Sequence, residues 1–115
     1  MPRDEDNIRR SLMDRRTELL QSSVDHEVDR QPVELDQQSV GRLSRMDALQ
    51  GQAMAQETER RRLDEVWRID AALQRLTDGD FGYCITCGEE IAEKRLSVDL
   101  SVATCIDCAR GGHPA

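Results

Sequence analysis

Cys84-Ile85-Thr86-Cys87 is followed, after 17 intervening residues, by Cys105-Ile106-Asp107-Cys108. Two Cys-x-x-Cys pairs separated by about 15 to 20 residues are typical of zinc sites. Four thiolates can surround one Zn²⁺ as a tetrahedron, and this closed shell leaves no coordination position for water or substrate. The spacing therefore predicts one structural zinc ion per chain, bound by Cys84, Cys87, Cys105 and Cys108.

The cysteines allow two other interpretations. A Cys-x-x-Cys motif can form a thioredoxin-like redox pair, and cysteines can also join in disulfides. The redox interpretation expects one such motif beside a βαβ pattern, whereas this chain has two motifs and no such pattern. Structural disulfides are rare in the cytosol. We favour zinc, with a thiol-redox or disulfide-bonded protein as the alternative.

The composition limits how much core the chain can build. Its 115 residues are 37% hydrophobic and 3% aromatic, below the roughly 45–50% apolar content of ordinary globular domains. Long paired helices bury only a seam, and a metal can replace core in a small module. We therefore expect a mainly α fold, an antiparallel helical hairpin (coiled coil) followed by a small four-cysteine zinc-finger module.

Charge and hydropathy exclude several classes of function. The net charge is −7 and no segment is basic, whereas DNA binding draws mainly on Lys and Arg at the phosphates. We expect no direct DNA binding. No stretch approaches the ~20 apolar residues that span a bilayer, and the start has no apolar signal-peptide core. These features predict a cytoplasmic protein with no membrane partner.

Helix signals divide the chain into three parts. A first helix is predicted from residue 4 to about 26, where Asp4 begins a run of N-cap oxygens. A turn is expected near residues 27–36. A second helix begins between Pro32 and Asp36 and ends at Thr77, before Asp78-Gly79. The predicted parts are the hairpin at 1–79, the zinc module at 80–110 and a disordered tail at 111–115.

The second helix carries apolar residues at spacings of mostly three and four, which predict the hairpin seam. They are Leu35, Leu43, Met46, Leu49, Ala53, Leu63, Val66, Ile69, Leu73 and Leu76. The charged gap at 56–62 is expected to be a solvated helix face. With a turn near residue 31, Ile8 is set against about residue 54. The helix beyond Arg60 then outruns the first helix, and Trp67 is expected to pack on the zinc module.

The residues around the cysteines resemble a known family. The chain contains Asp80-Phe81-Gly82-Tyr83-Cys84, Cys87-Gly88, Ile91, Arg95-Leu96 and Cys105-Ile106-Asp107-Cys108 in this order, after a helical hairpin. This pattern resembles the DksA/TraR family of zinc-finger transcription regulators over about residues 30 to 110. The resemblance implies a regulator that binds RNA polymerase directly, without binding DNA, by inserting its hairpin into the secondary channel. Some members act together with ppGpp.

The resemblance also implies where function lies. Family members bring acidic residues at the hairpin tip near the polymerase active site, and residues 27–36 carry a net charge of −3 here. The candidate partner-binding residues at the tip are Asp29, Glu34 and Asp36. Those on the stem are Arg60, Arg61 and Arg62. The family's tip hexapeptide Asp-x-x-Asp-x-Ala is replaced by Asp36-Gln37-Gln38-Ser39-Val40-Gly41.

Two functions from different classes remain open at this point. The first is a monomeric polymerase-binding regulator. The second is a zinc-ribbon adapter or scaffold that uses the hairpin for other protein–protein interactions. Neither is an enzyme, because the sequence contains no recognisable Ser-His-Asp set, glycine-rich phosphate loop or carboxylate pair. Dependence of function on the tip would favour the first, and dependence on the stem face would favour the second.

Overall fold

The computed structural model describes residues 4–32 and 42–112, with side chains in the second range from Ser44 onward. The helices are α1 (Glu5–Asp25), α2 (Arg42–Asp78), α3 (Glu93–Val98) and α4 (Ile106–Ala109), with a 3₁₀ turn at Val28–Arg30 after α1. The molecule is elongated, with extents of 65 × 35 × 20 Å. None of the helices in these two ranges is long and apolar enough to cross a membrane. The mainly α fold with a helical hairpin and a cysteine module is as predicted.

The first helix begins where its sequence predicts. The Asp4 carboxylate accepts hydrogen bonds from the backbone amides of Asp6 and Asn7, at 3.1 and 3.2 Å, so it satisfies two of the free N–H groups at the helix start. Leu12 and Leu19 are buried and Ile8 and Leu20 pack beside them. α1 is therefore a capped helix with a narrow apolar face, and its stability depends on a partner helix.

α1 and α2 run antiparallel. The Arg15 guanidinium binds the Glu65 carboxylate at 2.7 Å, and the Ser23 hydroxyl donates to the Glu59 carboxylate. The pairing partner on α2 therefore moves towards the N-terminus as the chain advances along α1. Near the other end of the pairing, Ile8 and Leu76 line the same groove.

This register differs from the predicted one, which set Ile8 against about residue 54. α1 packs instead on the C-terminal half of α2, where Val66, Ile69, Ala72 and Leu76 are buried. The reason is energetic, because this half offers large aliphatic side chains whereas the inward positions of the N-terminal half are small or polar. The segment of α2 that outruns α1 is therefore the N-terminal one.

Trp67 does not pack on the zinc module, contrary to prediction. Its side chain is 77% exposed, because α2 turns Val66 and Ile69 inward and leaves Trp67 on the outer side. Met46 and Leu49 are also more than half exposed, so this part of the predicted seam is wrong. The predicted start of the second helix, and Leu35, lie outside the described residues.

α2 ends as Asp78-Gly79 predicts. Gly79 has a φ of +83°, a left-handed conformation that glycine adopts without steric cost. The Asp80 amide donates to the Arg75 carbonyl at 2.8 Å and the Gly79 amide donates to the Leu76 carbonyl at 3.4 Å. These two bonds form a Schellman motif, which stops the helix and turns the chain into the cysteine module.

The cysteine module packs on the base of the hairpin. Phe81, Ile91 and Leu96 belong to the same buried cluster as Leu12 and Ile69. The Arg75 guanidinium also reaches the Val102 carbonyl, at 3.5 Å, and burial lowers the pKa of Arg75. The base of the hairpin and the module therefore share one core, and the division at residues 79 and 80 stays a prediction.

Gly51 offers a test of α2 as a largely solvent-exposed helix. It lies in the helix interior, and a Cβ added there would meet no atom within 4 Å. Because glycine loses more backbone entropy than alanine on folding, we expect Gly51→Ala to raise the free energy of unfolding by about 0.5–1 kcal/mol. Urea denaturation followed by circular dichroism measures this, and unchanged or lower stability would contradict the assignment.

Candidate functional site

The first cysteine pair lies in a tight turn that follows α2. The Cys84 amide donates to the Glu89 carbonyl at 2.8 Å, and the Gly88 amide donates back to the Cys84 carbonyl at 2.9 Å. Gly88 has a φ of +79° and its missing Cβ would meet nothing within 4 Å. The backbone angle, and not a shortage of space, therefore favours glycine after Cys87.

The second cysteine pair begins a short helix. Cys105 is the N-cap of α4, and its sulfur accepts a hydrogen bond from the Cys108 amide at 3.5 Å. The Ile85 amide donates to the Ala103 carbonyl at 2.9 Å, which joins the first turn to the segment before Cys105. The two pairs therefore face each other across one backbone hydrogen bond.

The four thiols form a compact cluster. The sulfur atoms of Cys84, Cys87, Cys105 and Cys108 all lie within 4.8 Å of one another, and those of Cys87 and Cys105 are 3.7 Å apart. A tetrahedral zinc with sulfur ligands at about 2.3 Å requires sulfur separations of about 3.8 Å. The predicted ligand residues are brought together in a geometry that fits zinc.

The environment of the sulfurs also suits a metal. Burial opposes ionisation of Cys84, but amide donors, the first of them Cys87, lower the pKa of the Cys84 thiol to about 5. Burial and the neighbouring thiol of Cys105 raise the pKa of Cys108. Thiolates this close repel one another, so a divalent cation is the group that allows all four to ionise. Bound there, zinc would supply structural cross-linking.

Side chains behind the cluster hold the second pair in place. The Arg95 guanidinium donates to the Thr104 carbonyl at 2.9 Å, and Leu96 is buried beneath it. The Asp99 carboxylate accepts from both the amide and the hydroxyl of Ser101, at 2.9 and 2.6 Å. The Arg95-Leu96 pair thus has a structural explanation, because one residue positions the approach to Cys105 and the other fills the core.

Of the three candidate tip residues, one lies in the described part of the chain. Asp29 lies in the 3₁₀ turn and is exposed, whereas Glu34 and Asp36 lie outside the described residues. The 3₁₀ turn packs on α2 beside Ala48 and Ala55. Arg42 begins α2 at the end opposite the cysteine module, and a helix of 37 residues spans about 55 Å. The chain on both sides of residues 33–41 is therefore far from the cysteines.

The three stem arginines do not share one surface. Arg60 and Arg61 point outward and pair with Glu57, at 2.8 and 3.3 Å. The Arg62 side chain is only 15% exposed and lies 3.6 Å from the Glu59 carboxylate. The helical repeat turns Arg62 towards α1, and a partner contact by any of the three arginines stays a prediction.

The charged pair Glu59 and Arg62 belongs to the seam, which the sequence pattern did not indicate. The charged gap at 56–62 was expected to be a solvated helix face, but these two side chains are only 13% and 15% exposed. The signal that could have found them is spacing, since the inward positions recur every three or four residues through the gap. These positions are 48, 52, 55, 59, 62, 66, 69, 73 and 76.

The cysteine module is similar in sequence to known zinc fingers. Residues 79–111 match the prokaryotic dksA/traR C4-type zinc finger. Over 41 residues the chain is 49% identical to the RNA polymerase-binding transcription factor DksA of Haemophilus influenzae and 44% identical to that of Escherichia coli K12. These matches cover 36% of this chain but only 28% and 27% of the relatives.

Two solved structures extend the likeness to the hairpin. The transcription factor DksA2 from Pseudomonas aeruginosa superposes with a TM-score of 0.70 at 24% identity, over 92% of this chain and 80% of the other. The DnaK suppressor protein from Agrobacterium tumefaciens C58 superposes with a TM-score of 0.57 at 30% identity, over 96% of this chain and 95% of the other. A matching C4 motif and this full-length similarity lead to one conclusion: the chain belongs to the dksA/traR family of C4-type zinc-finger proteins.

Proposed function

We propose that this protein is a non-enzymatic regulator of transcription that binds RNA polymerase directly. The observation that carries the proposal is the match of its zinc finger to relatives named RNA polymerase-binding transcription factors. A long hairpin with an acidic connecting segment suits a protein partner better than DNA, because duplex binding requires neutralised phosphates. The protein acts as a monomer in the cytoplasm, where it meets polymerase, and it does not bind DNA.

The two ends of the molecule have different tasks in this function. One zinc ion per chain, held by the four cysteines, maintains the base. The hairpin enters the secondary channel and brings Asp29, Glu34 and Asp36 to the polymerase interior. Exposed Arg60 and Arg61 supply contacts along the stem, and ppGpp acts together with the protein on polymerase. Acidic side chains near the active site would perturb its metal ions or the mobile elements around them.

The experiment that tests the tip combines two measurements on one variant. We expect Glu34→Ala with Asp36→Ala to abolish the effect on run-off transcription, while affinity for core polymerase falls far less. The reason is that binding area lies mainly along the stem and base, and residues that act need not be those that bind. The matched control is Asp14→Ala with Glu18→Ala, which removes one exposed Asp and one exposed Glu from α1. Equal activity of the tip variant and wild type would remove the acidic-tip mechanism.

The adapter function has one observation in its favour. Trp67 is 77% exposed and Leu63, one helical turn before it, is 44% exposed, so the outer side of α2 offers an apolar stem surface. Trp67→Ala separates the two functions. A scaffold would lose partner binding in Trp67→Ala and keep it in the tip variant. An inserted rod would keep its effect on transcription in Trp67→Ala and lose it in the tip variant.

A further inference from the structure

The seam of the hairpin contains a charged cluster where an apolar layer would be ordinary. Glu59 and Arg62 occupy inward positions of α2, between small Ala55 and buried Val66. Their side chains are 13% and 15% exposed. Charged residues at such positions cost stability because they lose water, so their presence in this layer calls for a role other than core packing.

The Glu59 carboxylate is the centre of the cluster. It accepts the Ser23 hydroxyl from α1, and Arg30 Nη2 of the 3₁₀ turn lies 3.3 Å away. Arg62 Nη1 approaches the other carboxylate oxygen at 3.6 Å. The same carboxylate is thus shared by the end of α1, the following turn and α2.

Arg30 closes the cluster by a second bond. Its Nη1 donates to the backbone carbonyl of Ser23 at 2.9 Å, while its Nη2 faces Glu59. A guanidinium has a rigid fork of donors, so the two contacts fix the 3₁₀ turn relative to α1 and α2 at once. Its side chain is 20% exposed, which weakens screening by water.

The neighbouring layer cannot supply the same restraint. Beyond Glu59, the 3₁₀ turn and the α2 residues Ala48, Gly51, Gln52 and Ala55 line one open groove. None of these four residues carries a charge that could restrain the turn. In coiled coils a single polar residue in the seam specifies register at a cost in stability. We propose that the Ser23–Arg30–Glu59–Arg62 cluster is a positioning element that fixes the direction in which the chain leaves α1 towards the tip.

The consequence for polymerase rests on the proposed function. The 3₁₀ turn ends at Arg30, and the candidate tip residues Glu34 and Asp36 follow within the next six positions. If the turn tilted relative to α2, the positions of these two acidic residues relative to the hairpin would vary from molecule to molecule. Glu59 is therefore a positioning residue for the tip and does not itself contact polymerase.

The test removes the charges and keeps the seam apolar. The test variant is Glu59→Leu with Arg62→Leu. Spin labels attached at positions 27 and 50, through residues other than cysteine, measure the distance between the turn and α2. Labels at positions 13 and 74 measure the distance between α1 and α2 in the stem. We expect the 27–50 distance distribution to become about twice as wide while the 13–74 distribution stays unchanged, because apolar replacement of buried ions preserves stability but not register. Arg30→Ala, which leaves the seam intact, should widen the same distribution.

The matched control is Glu57→Leu, since among the described residues the ion pairs of Glu57 lie within α2, with Arg60 and Arg61. The proposal would be overturned if the 27–50 distance distribution stayed as in the wild type in the leucine variant and in Arg30→Ala. It would also be overturned if Glu57→Leu widened this distribution equally. Run-off transcription provides the functional readout: the leucine variant should lose its effect on transcription and retain most of its affinity for core polymerase. If the wild type binds no polymerase, the proposed function fails, and the distances still decide the positioning role.

Discussion

Replacement of Cys105 by serine is expected to abolish zinc binding and unfold residues 80–110. The four sulfurs lie within 4.8 Å of one another, and the buried apolar side chains that residues 80–110 add to the shared core are, besides Cys84, Phe81, Ile91 and Leu96. Metal binding contributes about 10 kcal/mol or more to folding in zinc-finger peptides. The zinc content should fall from about one ion per chain to none. In an NMR spectrum, the amide signals of residues 80–110 should lose their dispersion.

The control for this variant is Ile106→Val, in the same Cys-x-x-Cys motif. Ile106 is 48% exposed, so loss of one methylene there should leave zinc content and spectrum unchanged. Most of the far-ultraviolet helical signal should survive in Cys105→Ser, because the α1–α2 ion pairs lie along the stem. Metal-free protein with a fully dispersed spectrum would contradict a structural zinc site.

Truncation of Ile69 should have the second largest effect. Its side chain is 1% exposed within the core shared by the hairpin base and the module. Removal of a buried isoleucine side chain leaves a cavity, so we expect Ile69→Ala to lower the free energy of unfolding by about 2–5 kcal/mol. Urea denaturation of the zinc-loaded protein measures this.

Leu63→Ala is the matched control, because Leu63 lies on the same helix and in the same sequence-predicted stripe. It is 44% exposed, so its truncation should cost no more than about 1 kcal/mol. Equal destabilisation by the two substitutions would contradict the described packing, in which α2 buries Ile69 and exposes Leu63.

Local signals in the sequence predicted local structure well. Asp4 caps α1, Asp78-Gly79 ends α2, and the paired Cys-x-x-Cys spacing identified sulfurs that meet in space. Each of these features depends on a few neighbouring residues, or on a spacing that one metal imposes. Helix caps and metal-ligand spacings can therefore be predicted from the sequence without knowledge of the rest of the fold.

The pairing of α1 with α2 was not predictable in the same way. Its register depends on where two faces bury the most apolar area, and the predicted register, which set Ile8 against about residue 54, was wrong. The error moved the overhang to the wrong end and gave Trp67 a contact that it does not make. As a result, Trp67 fluorescence is not expected to report loss of zinc.

The charged layer at Glu59 and Arg62 illustrates the same difficulty. A run of mixed charges usually forms a solvated face, and these two side chains became part of the seam only because the helical repeat points them towards α1. Ser23 and Arg30, which complete the cluster, are distant in sequence from Glu59. Such a network is visible once the register is known.

The most direct test of the central claim is equilibrium binding to core RNA polymerase. Labelled, zinc-loaded wild-type protein should show a saturable rise in fluorescence anisotropy with core polymerase, and none with duplex DNA at the same ionic strength. Cys105→Ser should weaken this binding, because the base of the rod is no longer ordered. Absence of binding by the wild type to core polymerase would contradict the account.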